Sequence, residues 1–254
     1  MNASFALPRT ARTEPAPPPP LALTSFELAR AALEYGAMRL MNKSTLPRGD
    51  GHPVVLFPGL ASDHRAIAPL KDLCQQLGYA AFDWGRGFNA GPKGNPDRWL
   101  DALADEVLER SPSPGEPLSL VGWSLGGIYA REVAKRIGAR ARNVITIGTP
   151  FAGTSDQTRV GGVYRLLNGR EPVIDTALQR RLRVPPPVPT TSIYSRSDGV
   201  VAWQACIQEG EGGKFENVEV AGSHCGLGWN ADVYRVLADR LRQTRAGWRP
   251  YRAL

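Results

Sequence analysis

Six short apolar runs punctuate the chain: VVLF at 54–57, YAAFDW at 79–84, LSLVG at 118–122, NVITIG at 143–148, TTSIY at 190–194 and NVEV at 217–220. They lack strict alternation of apolar and polar positions, which marks strands covered on both faces. Between most of them lie stretches with helical spacing, at 66–77, 96–109, 125–137 and 231–242. This alternation predicts an α/β fold, a mostly parallel sheet of about six strands with helices on both faces. Ahead of the block, SFELARAALEYGAMRLM in 24–41 repeats apolar residues at helical spacing, with Leu28, Ala32, Tyr35 and Arg39 marking the edges of a stripe. The pattern predicts a helix packed on the main domain; a helix lying on a membrane surface is the alternative, which Glu27 and Glu34 disfavour.

The rhythm fails between Phe151 and Pro189, where one or two short helices and three consecutive prolines replace any obvious strand. An excursion that long between core strands is more than a connection, and predicts a small cap over 151–189, above the carboxyl edge of the sheet where ligands bind in such folds. Residues 1–22, with Pro17 to Pro20 in a row, read as an extended or disordered leader, stiffened locally into polyproline II. The leader lacks the apolar core of a signal peptide, and no apolar stretch is long enough to cross a bilayer. The domain plan is therefore a leader at 1–22 and one α/β domain at 23–254. The simplest location is the cytoplasm, with peripheral contact to a membrane as the further expectation.

Composition changes this picture little. Apolar residues make up 42% and charged residues 22% of 254, enough for a substantial core. The net charge of +7 comes from 31 Lys and Arg against 24 Asp and Glu, scattered without a dense basic block. It favours weak attraction to anionic surfaces, and with no nucleic-acid-binding motif beside it the chain is not expected to bind nucleic acid. The three cysteines lack the paired spacing of a zinc site; Cys74 reads as core, and a bridge between Cys206 and Cys225 is disfavoured in a reducing compartment.

Chemistry enters with LVGWSLGGI at 120–128. Ser124 follows an apolar strand and precedes a helix, with Gly122 and Gly126 two residues to either side. That is the spacing of a nucleophile elbow, although a serine at a helix start can also serve only as its N-cap. A serine nucleophile needs a base and the base needs an acid, and in the elbow arrangement they follow in the order serine, acid, histidine. His52 enters the first strand at the wrong edge and His64 precedes the serine, whereas His224, in VEVAGSHCGLG, follows the last strand. Asp198, in SIYSRSDGVV, follows the fifth strand and is the preferred acid; Asp156 and Asp175 in the cap are alternatives, and Asp83 precedes the serine. Backbone amides of Leu60, in FPGL after the first strand, and Leu125, directly after the serine, are placed to bind an oxyanion. Trp123, Phe151, Tyr164 and Leu167 are the expected lining of an apolar acyl pocket.

The set FPGL, GWSLGG, ITIGTPFAGT, SRSDGVV and GSHCGLG resembles the α/β-hydrolase superfamily, in particular bacterial lipases and esterases, over residues 52–242. Such relatives often read GTPHxG where this chain has Phe151. The resemblance implies the α/β-hydrolase fold with a small cap, the triad Ser124, Asp198 and His224, and hydrolysis of a small-molecule ester or lipid through an acyl-enzyme. That chemistry requires neither metal nor cofactor. A thioesterase or acyltransferase with the same triad, and a binding protein that keeps the fold without turnover, are the alternatives.

Overall fold

The computed structural model describes residues 17–153, 176–210 and 213–252. Six strands, β1 (Pro53–Phe57), β2 (Ala80–Asp83), β3 (Leu118–Trp123), β4 (Ala141–Ile147), β5 (Thr190–Tyr194) and β6 (Phe215–Glu219), form one sheet in the order β2-β1-β3-β4-β5-β6, every pair parallel. Seven α-helices are described: α1 (Leu21–Ser25), α2 (Glu27–Leu40), α3 (Ala68–Gln76), α4 (Pro96–Glu109), α5 (Leu125–Ile137), α6 (Thr176–Arg183) and α7 (Ala231–Leu241). All six predicted strands and all four predicted helices of the alternating block form, with ends shifted by one or two residues.

Alternation within β1 shows why its run is continuously apolar. Val54 and Leu56 enter a core with α3, α7 and Met38 of α2, while Val55 and Phe57 enter a second core with α4 and α5. Successive side chains point to opposite faces, so a strand covered on both sides needs apolar residues throughout. Helix starts follow their local signals. Asn95 caps α4, its Oδ1 accepting the Arg98 amide at 3.0 Å, with Pro96 in the first turn; Asn230 caps α7 by accepting the amides of Asp232 and Val233.

The strand order reverses beside β1, which pairs with β2 on one side and β3 on the other. Such a switch point opens a crevice at the carboxyl ends of the two diverging strands. The loops after β1 and β3 meet there.

Two expectations are corrected. The amino-terminal helix is not continuous over 24–41: α1 already begins at Leu21, inside the predicted leader, and the path breaks at Phe26 before α2. Its inward face is also different. Glu27, Ala31 and Met38 are buried, while Leu28 (78% exposed), Ala32, Tyr35 and Arg39 of the predicted stripe face outward. The sequence pattern chose the apolar side; the folded chain buries a carboxylate. Of the predicted cap, α6 is described and is held on α5: Arg131 donates to the Leu182 and Val184 carbonyls, each at 3.2 Å, and Lys135 to that of Arg181 at 2.7 Å. Residues 154–175, with Asp156, Tyr164, Leu167 and Asp175, lie outside the described residues. Cys206 and Cys225 are free thiols. Among the described residues no helix is long and apolar enough to cross a membrane.

Candidate active site

Ser124 lies at the tip of the turn from β3 into α5, with φ 54° and ψ −124°, a conformation that favours glycine. Three glycines make the turn fit. A Cβ on Gly122 would collide with the Gly126 backbone, one on Gly126 with the carbonyls of Phe57 and Pro58, and one on Gly127 with the Thr149 side chain. Strand and helix therefore approach closely enough to drive the serine outward. The Ser124 amide donates to the Ile147 carbonyl at 2.8 Å, which ties the turn to β4.

Asp198 sits in the loop after β5 and His224 in the loop after β6, both at the same carboxyl edge as Ser124. His224 Nε2 lies 3.1 Å from Ser124 Oγ, and His224 Nδ1 lies 2.6 Å from Asp198 Oδ2. The other carboxylate oxygen, Oδ1, accepts the amides of Val200 at 2.8 Å and Val201 at 2.7 Å, so the acid is held in one orientation. All three side chains are buried, at 5% exposure or less. Burial pushes the His224 imidazole toward the neutral form, but the adjacent Asp198 carboxylate, with a smaller contribution from Glu27, leaves its pKa above the ordinary 6.5. Of the other histidines, His52 is buried at the opposite edge between Asp50 and Ser119, and His64 is exposed.

The loop after β1 closes the site from the other side. Gly59 packs against Ser124, where a Cβ would come 3.3 Å from that of the serine. Leu60 follows, and Ala61 takes a positive φ of 58°. Asn89, fully buried, clamps this loop: Nδ2 donates to the Pro58 carbonyl at 2.9 Å, and its backbone exchanges 2.8 Å bonds with Ala61 and Ser62. Leu125 is the first residue of α5, where a helix leaves its amides without intrahelical acceptors.

Two residues expected to line an acyl pocket have other contacts. Trp123 Nε1 donates to the His224 carbonyl at 3.2 Å, and its ring lies 6.0 Å from the imidazole. Phe151 is 1% exposed beneath the Arg131 guanidinium, 3.7 Å from ring centre to carbon, so it packs inside the protein. A groove of about 650 Å³, open to solvent, runs between α2 and α3, bordered by Leu28, Ala32, Tyr35, Pro69, Trp229 and Cys225, the neighbour of His224.

Asn89 carries no sequence signal, because its role depends on a loop thirty residues away. Residues 54–254 match a family model described as alpha/beta hydrolase family. No curated protein sequence matches significantly. Among solved structures, monoacylglycerol lipase of Paleococcus ferrophilus is 14% identical with a TM-score of 0.54, over 77% of this chain and 96% of that one. The mouse alpha/beta hydrolase domain-containing protein 10 is 16% identical with a TM-score of 0.51, over 79% and 95%. Est1E from Butyrivibrio proteoclasticus, solved with ferulic acid bound, is 13% identical with a TM-score of 0.51, over 80% and 90%. At these identities the likeness is one of fold.

Proposed function

Because this chain belongs to the alpha/beta hydrolase family, we propose that it is a serine hydrolase that cleaves carboxylic esters through an acyl-enzyme. The observation that carries the reading is the unbroken line of contacts Asp198–His224–Ser124, with its hydroxyl end at the switch-point crevice. Ser124 Oγ would attack the ester carbonyl as its proton passes to His224 Nε2. Asp198, fixed by the Val200 and Val201 amides, accepts from His224 Nδ1–H and so keeps Nε2 free to act as the base. The tetrahedral oxyanion would be met by the amides of Leu60 and Leu125, the latter aided by the positive end of α5. Collapse breaks the bond to the leaving oxygen, which takes the proton from His224; water then enters by the same route, and the carboxylic acid leaves with Ser124 restored. The substrate class proposed is a small ester or a lipid, whose acyl carbonyl the Leu60 and Leu125 amides would hold.

Ser124 is expected to be labelled by a fluorophosphonate probe, located by peptide mapping. Ser124→Ala should abolish both labelling and hydrolysis of p-nitrophenyl esters with circular dichroism unchanged. Residual hydrolysis at the level of the unaltered protein would exclude the serine mechanism.

A further inference from the structure

The loops bearing Asp198 and His224 are not held only by each other. Glu27 of α2, 4% exposed, reaches both: Oε1 accepts the Gly199 amide at 2.7 Å and the His224 amide at 3.1 Å, and Oε2 accepts the Cys225 amide at 3.0 Å. One carboxylate thus takes backbone protons from the residue after the acid and from the histidine itself. The rest of the amino-terminal segment repeats the pattern. Thr24 Oγ1 donates to the Gly199 carbonyl at 2.6 Å, Arg30 donates to the Ser197 carbonyl at 2.7 Å, and Glu34 Oε1 accepts the Ser223 amide at 2.7 Å. The approach is close enough that a Cβ on Gly199 would press on Leu23 and Glu27. A buried carboxylate is expensive unless fully hydrogen-bonded, and here the bonds go to two loops separated by more than twenty residues.

We infer, on the premise of the serine hydrolase reading, that Glu27 is a positioning residue whose carboxylate fixes the Asp198 loop and the His224 loop relative to one another and so aligns the imidazole with Ser124. It touches none of the reacting atoms. Its negative charge also raises the His224 pKa. The charged groups about His224 are Asp198 from the loop after β5 and Glu27 from α2; Glu34 bonds the adjacent Ser223 amide, Arg30 lies 3.8 Å from Glu27, and the Cys225 thiol, pushed up to about 12, is neutral. Removing the charge of Glu27 takes away one of the contributions that favour protonated His224.

The test uses the full chain with Glu27→Gln, Glu27→Asp and, as control, Met38→Ala, which opens the core under the same helix and removes no hydrogen bond to either loop. Turnover of a p-nitrophenyl ester is measured beside the NMR titration of His224, one of only three histidines. Glu27→Gln should lower kcat by about tenfold or more with KM within about twofold, and lower the His224 midpoint. Glu27→Asp, which keeps the charge but withdraws the carboxylate, should lower kcat while leaving the midpoint in place. Met38→Ala should lower the melting temperature with neither change. Should Glu27→Gln fail to fold, Glu27→Asp decides: retained kcat overturns the inference and a lowered kcat supports it. Unchanged kcat and midpoint in Glu27→Gln, or the same two changes in Met38→Ala, also overturn it. Ser124→Ala separates this outcome from the premise: if it hydrolyses ester normally the serine reading falls, while the His224 midpoint still reports on Glu27.

Discussion

Ser124 occupies a backbone conformation that costs about 1–3 kcal/mol for a residue with a side chain, and the surrounding close contacts hold it there. On the serine hydrolase reading its reactivity would depend on which nitrogen of His224 carries the proton, and Asp198 would decide that. In Asp198→Asn the side-chain oxygen would stay on the Val200 and Val201 amides, because only an acceptor fits there, and the NH₂ would face His224 Nδ1. The imidazole would then carry its proton on Nε2 and could not take one from serine. We expect kcat to fall by about 10³–10⁴-fold with the fold retained, measured on a p-nitrophenyl ester. The pH profile carries a second signature. On the same reading the base would work as neutral imidazole, and because the His224 pKa is raised in the folded protein, kcat/KM should rise with pH through a midpoint above 6.5. An acidic limb centred below 6.5 would contradict the assignment of His224 as base. The convergence of Ser124, Asp198 and His224 could be read from the sequence because chain order and sheet edge leave few alternatives among three histidines. Glu27 could not, since a carboxylate on an apolar helix resembles a solvent-facing residue until the loops that bond it are known.

Elements were most legible where both faces are covered. The strands stand out as continuous apolar runs, and α4, α5 and α7 as runs with helical spacing. The orientation of α2 was not legible, because hydropathy ranks Leu28 above Glu27 as an inward residue and says nothing of distant backbone donors. The anchoring of α6 is similarly hidden. Glu132 of α5, 0% exposed, faces Lys135 at 2.6 Å, Arg136 at 3.2 Å and Arg181 of α6 at 3.3 Å. Glu132→Ala leaves these cations converging without their shared anion. It should destabilise the fold by about 2–3 kcal/mol in urea unfolding, somewhat less than the loss from a fully buried pair because the partners retain some solvent access. Asp101→Ala, which removes an exposed partner of the same Arg136, should cost under about 1 kcal/mol. Equal effects from the two substitutions would show that burial of Glu132 contributes nothing.

At the scale of the whole molecule, the all-parallel sheet puts the loops after β1, β3, β5 and β6 at one carboxyl edge, and the reversal beside β1 opens the crevice in which residues spread from Gly59 to His224 meet. Alternating strands and helices predict that edge, and there Ser124, Asp198 and His224 meet. They did not forecast that α1 and α2, which precede the first strand, would reach across it. The family match begins at residue 54, beyond both helices. A protein trimmed for expression to that recognisable body would keep every group proposed for bond-making and still lose the girder that joins two of its supports. It should lose stability, and turn over ester far more slowly per titrated site than the intact chain, as active-site titration beside steady-state rates would show; undiminished turnover per titrated site would show the helices to be dispensable.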